Sequence, residues 1–119
     1  MENMIVLYGI KNCDTVRKAR AFLDAHDTSY RFHDFRQDGI DTETILSWCH
    51  INSWEALLNK GGTTWRKLSK SEQESVCDAQ SAAELMTQNP TLIKRPILAA
   101  GDTVIVGFNP EIYQQIGEL

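Results

Sequence analysis

The chain has 119 residues, 42% of them hydrophobic and 24% charged, a composition that excludes a disordered or low-complexity segment and a length suited to one core rather than two. Its formal net charge of −4 excludes a broad basic surface, so no direct nucleic-acid binding is expected. No apolar run approaches the length of a membrane span and no secretory pattern opens the sequence, so no membrane contact and a cytoplasmic location are expected.

Met4-Ile-Val-Leu-Tyr8 is a continuous apolar run ended by Gly9, which predicts a central strand buried on both faces. From Asp14 the period changes: Val16, Ala19, Phe22, Leu23 and His26 recur at helical spacing, giving a helix to about Ala25 or His26. Tyr30 to Phe35 alternates aromatic and polar residues like a half-buried strand, so these three elements form a right-handed βαβ unit over about residues 4–35. A helical insertion follows over about residues 41–89, with Asp41 or Thr42 as its first cap. Ser53 precedes a short helix, and Ser69 with Glu72 and Ser81 with Glu84 have capping-box spacing. Gly61-Gly-Thr-Thr64 is read as a loop.

Pro96 to Ala100 and Thr103 to Gly107 are apolar runs joined by Gly101-Asp102, a hairpin signal. Asn109-Pro110 then opens a last helix carrying Ile112 and Ile116, and this ββα half runs over about residues 96–118. The order βαβ, helical segment, ββα fits an α/β, thioredoxin-like (glutaredoxin-type) fold: a four-stranded mixed sheet with a helical insertion, expected to act as a single domain.

Three cysteines, Cys13, Cys49 and Cys77, cannot all pair within the chain and form no metal-binding spacing with histidine, so reduced thiols and no metal are expected. Cys13 falls where the first strand gives way to the first helix. There, N–H groups with partial positive charge, helped by cations such as Lys11, Arg17 and Arg95, lower a thiol pKa. Pro96 at the start of a strand is a position that favours a cis bond. Cys49, on the apolar stripe of a helix, reads as a packing residue.

The stretches "LYGIKNCDTVRKAR", "LLNKGGTTWRKL", "IKRPIL" and "VGFNPE" together resemble the arsenate reductase-related ArsC/Spx family, most closely its YffB-like branch. The resemblance covers nearly the whole chain, and it implies Cys13 as nucleophile with Arg95 as anion-binding arginine. Glutaredoxin-coupled arsenate reductases carry two further arginines, whose matching positions here are Asn59 and Phe108; this disfavours arsenate. Spx regulators carry a C-x-x-C switch, where this chain has Val16. YffB-like members have an arginine before "GTTW", where Gly61 stands beside Lys60, a point charge without arginine's fork.

The expected function is that of a thiol oxidoreductase using one cysteine, with no bound cofactor and glutathione as co-substrate, reducing a disulfide or an oxidised small substrate. Cys13 is its catalytic residue; Lys11, Asn12, Lys60 and Arg95 bind substrate. The expected partner is glutathione or a glutaredoxin-like thiol partner. Two alternatives follow from the same resemblance: an Spx-like regulator that contacts RNA polymerase, and an arsenate reductase coupled to glutaredoxin.

Overall fold

In the computed structural model, which describes residues 4–117, the chain runs β1 (Ile5–Gly9), α1 (Asp14–Ala25), β2 (Arg31–Asp34), α2 (Thr42–Ile51), α3 (Trp54–Leu57), α4 (Thr63–Lys67), α5 (Lys70–Glu74), α6 (Ala79–Gln88), β3 (Ile97–Ala100), β4 (Thr103–Val106) and α7 (Pro110–Gly117). The strands form one sheet in the order β2-β1-β3-β4. β1 is parallel to β2 and antiparallel to β3, which is antiparallel to β4. This is the thioredoxin-like α/β arrangement expected from the order of elements. The Ile116 side chain and residue 118, both included in the sequence reading, lie outside the described residues.

Two compact units emerge, a sheet unit that runs to Asp38 and resumes at Arg95, and a helical unit Gly39–Lys94. In the sheet unit, Leu7 stands opposite Leu98 on β3 and Phe32 on β2. That face of the sheet buries Leu7, Leu98 and Ala100 with Ala19 and Leu23 of α1 and Tyr113 of α7. Such side chains each contribute roughly 1.5–3 kcal/mol when fully removed from water. The central position of β1 agrees with its apolar run, but burial on both faces does not hold throughout. Leu7 and Gly9 are buried while Ile5, Val6 and Tyr8 are half-buried, and Met4 is 73% exposed because it precedes the ladder, which opens at Ile5–Ala100.

Side-chain caps account for the breaks in the helical unit. The Asp41 carboxylate accepts the Thr44 N–H at 2.8 Å, the Ser53 hydroxyl accepts that of Ala56 at 3.2 Å, and Ser69 with Glu72 forms the expected capping box. The box expected at Ser81 and Glu84 is instead formed by Asp78 and Ser81. Asp78 lies the same three residues ahead, its carboxylate accepting the Ser81 N–H at 2.8 Å while the Ser81 hydroxyl accepts the Asp78 N–H at 3.2 Å, and Glu84 accepts from Gln80 at 2.9 Å. The glycine pair at 61–62 is loop, but Thr63 and Thr64 already begin α4 with Gly62 as N-cap; one helical turn is too short to leave a period in the sequence. The segment after α3 is tied to the end of the unit by Asn59 N–H to Leu92 O at 2.7 Å and Lys94 N–H to Leu57 O at 2.8 Å.

Candidate active site

Beyond β1 the backbone turns sharply, the Cys13 N–H donating to Ile10 O at 3.2 Å, and Cys13 becomes the N-cap of α1 with φ −93° and ψ 127°. Its carbonyl accepts the Arg17 N–H at 3.0 Å, the first bond of the helix. The sulfur therefore sits among the N–H groups that an α-helix leaves unpaired at its start. It is partly exposed, as a nucleophile must be.

Burial pushes the Cys13 thiol pKa up, but the Val16 N–H, the Arg95 side chain, the Thr15 N–H and the charge of Arg95 together outweigh it and hold the thiol below its ordinary value. Neither N–H makes a close, well-aligned bond that caps the helix through the sulfur; both act on the charge of the thiolate, a large, diffuse acceptor. Cys49 shows the contrast, since burial there raises the thiol and nothing offsets it. It is partly buried, in keeping with a packing residue. Cys77 is exposed and accepts the Ser81 hydroxyl at 3.9 Å.

Arg95 reaches Cys13 from the segment that leads into β3. Its bond to Pro96 is cis, and Pro96 O accepts the Gly107 N–H at 2.8 Å, fixing the entry to the strand. Cys13 and Arg95, which the family resemblance casts as nucleophile and anion-binding arginine, are brought together. Lys11 and Asn12 lie exposed on the turn before Cys13.

Arg17, expected as a cation for the thiol, is committed elsewhere: it pairs with Asp14 at 3.3 Å and donates to Asn12 O at 3.4 Å. Lys60 belongs to the helical unit, its ammonium 6.0 Å from the Trp54 ring centroid and 5.4 Å from that of Trp65, a cation–π arrangement. Asn59 accepts the Gly61 N–H at 3.2 Å, and Phe108 packs its ring edge-on against Phe22 and Tyr113 at 5.7 and 5.0 Å. The Thr15 and Val16 N–H groups were not singled out in the sequence, although an N-cap at Cys13 places them second and third in the helix, where an N-cap side chain acts. Among the described residues no group of three or more His, Cys, Asp or Glu is arranged to hold a metal, and no helix is long and apolar enough to cross a membrane.

A mixed sheet in the order 2-1-3-4, with a cysteine opening the first helix and an arginine and cis-proline opening the third strand, defines a thioredoxin-like protein with one cysteine at its candidate centre. Within that class the chain belongs to the ArsC family, whose pattern matches residues 8–116. A solved YffB protein is 45% identical, covers 95% of this chain and 98% of its own, and superposes with a TM-score of 0.90. The solution structure of an arsenate reductase (ArsC) related protein from Brucella melitensis is 44% identical, with coverage of 98% and 96% and a TM-score of 0.73. The global transcriptional regulator Spx of Streptococcus agalactiae is 28% identical over 110 residues, 91% of this chain and 79% of the regulator.

Proposed function

We propose that the protein is a thiol oxidoreductase that works through Cys13 alone and takes its reducing equivalents from glutathione. The observation that carries this reading is the partly exposed Cys13 at the start of α1, its thiol held low by two backbone N–H groups and Arg95. In the first step the Cys13 thiolate attacks one sulfur of a mixed disulfide between substrate and glutathione. The S–S bond breaks, the substrate leaves as a thiolate that takes a proton from water, and glutathione remains bonded to Cys13. A second glutathione thiolate then attacks that bond, releasing oxidised glutathione and restoring the Cys13 thiolate. Arg95, with Lys11 and Asn12 on the adjoining turn, binds the carboxylates of glutathione through charge-assisted hydrogen bonds. Lys60 is proposed as a further substrate-binding residue, which a raised KM for glutathione in Lys60→Ala would support.

The family match spans residues of both units, which supports one functional domain, and the reducing cytoplasm suits a protein of free thiols. The test is incubation with oxidised glutathione followed by mapping of the adduct by mass spectrometry. Modification of Cys13 is expected; modification of Cys77 or Cys49 with Cys13 untouched would refute the reading. The Spx relative favours a second reading, a regulator that contacts RNA polymerase without turnover. Recovery of the polymerase with a Cys13→Ala protein, together with no glutathione-dependent activity in the wild type, would decide for it.

A further inference from the structure

We infer that Gly9 and Val16 are positioning residues for Cys13, a bare strand end and a valine that rests on it, which together fix the first turn of α1 beneath the sulfur. The inference rests on the assignment of Cys13 as nucleophile. Val16 is fully buried, and a Cβ built on Gly9 would lie 2.7 Å from its Cγ2 and 3.3 Å from its Cγ1. Carbon atoms do not approach to 2.7 Å, so a side chain at residue 9 forces α1 away from the sheet or Val16 out of its place. Strand β1 cannot yield instead. Gly9 is in register with Asp34, its carbonyl accepts the Phe35 N–H at 2.9 Å, and two residues earlier Leu7 is locked between Phe32 and Leu98.

The same valine that makes this contact supplies the N–H that acts on the Cys13 sulfur, with Thr15 one residue before it. A displacement of Val16 is therefore a displacement of the N–H groups, and their effect falls off within the first turn of a helix. Val16 is β-branched and stiff at χ1 in a helix, so it transmits the position of its side chain to its backbone with little slack. Gly9 thus acts on the chemistry through the helix and touches no substrate.

Gly9→Ala, Val16→Ala and the double variant test this by the rate of Cys13 alkylation as a function of pH. Arg95, the charged group that acts on the sulfur, is untouched by these changes, as are Lys11 on the preceding turn and the Asp14–Arg17 pair on α1. Gly9→Ala is expected to lower the Cys13 thiolate fraction about threefold at a pH below its midpoint. Gly9→Ala/Val16→Ala, in which the opposing methyl groups are gone, is expected to recover most of that loss. A role in stability alone would lower the unfolding temperature and leave the pH profile in place. Should Gly9→Ala not fold, Val16→Ala serves as the readout, since removing the contact also frees the turn and shifts the profile in the same direction. An unshifted profile in Gly9→Ala, or in Val16→Ala where Gly9→Ala does not fold, would overturn the inference. A wild-type Cys13 with an ordinary thiol profile would instead overturn the functional reading, so the two failures are separable.

Discussion

Replacing Arg95 by alanine removes a cation that acts on Cys13 both by hydrogen bond and by charge. A hydrogen bond to a charged group contributes about 1.5–3 kcal/mol. The sulfur is only partly buried, so solvent screening reduces this to about 1 kcal/mol, equivalent to about fivefold in thiolate population. Two consequences oppose each other. Loss of the guanidinium raises the thiol pKa, whereas the water that fills its place relieves part of the burial that raises it in the wild type, the largest single effect on this thiol. The net expectation is a two- to fivefold fall in alkylation rate at a fixed pH below the midpoint, about half to 1 kcal/mol. Above the midpoint the difference is expected to vanish or reverse slightly, since a thiolate of higher pKa is intrinsically the better nucleophile. Arg95→Lys is expected to lie between, keeping the charge without the planar fork. Coincident rate profiles for wild type and Arg95→Ala across the whole pH range would refute the reasoning.

Because the folded Cys13 titrates below its ordinary value of 9.0, the unfolded chain binds more protons between those values; the stabilisation it contributes is complete above about 9 and is lost as pH falls through the folded value. The difference in unfolding free energy between wild type and Cys13→Ser, measured in urea, is therefore expected to grow with rising pH up to about 9, and a flat difference would contradict it. Asp78→Ala is expected to lower the unfolding temperature through loss of the α6 cap, and Glu84→Ala to leave it nearly unchanged; the reverse order would restore Ser81 as the cap. Val16→Cys places a thiol one helical turn from Cys13, and mild oxidation is expected to give an internal disulfide seen by mass spectrometry, whereas the wild type gives a mixed disulfide with added thiol.

The fold was legible because its elements differ sharply in period. Met4 to Tyr8 is too apolar for an edge, Val16, Ala19 and Leu23 mark one helical face, and Gly101-Asp102 separates two strands; the structure returns each of these within a residue or two. The start of α6 was harder. Asp78 and Ser81 share with Ser81 and Glu84 the same spacing, so residue type alone does not decide between them. The candidate site was legible where a side chain carries the chemistry, at Cys13 and Arg95. It was illegible where the backbone carries it, since the N–H groups of Thr15 and Val16 have no signature in residue type. The service of Arg17 was misread for another reason. Its charge is visible in the sequence, but its engagement with Asp14 three residues away is a matter of rotamer.

What surrounds Cys13 also bears on the kind of substrate it suits. A multiply charged oxyanion is best held by several forked donors acting together. In the sheet unit Arg95 supplies such a fork beside the sulfur, while the guanidinium of Arg17 is turned to Asp14 and the position of Phe108 is filled by a ring wedged between Phe22 and Tyr113. An arginine at 108 would have to leave that aromatic cluster or carry its charge into it, and burying a charge without a partner is costly. The packing of α7 against α1 thus uses residue 108, which the family resemblance matches to an anion-binding arginine of arsenate reductases, for an aromatic contact. On the proposed reading Arg95 holds a substrate carboxylate while the two helix N–H groups act on the Cys13 sulfur, an arrangement suited to thiol–disulfide exchange.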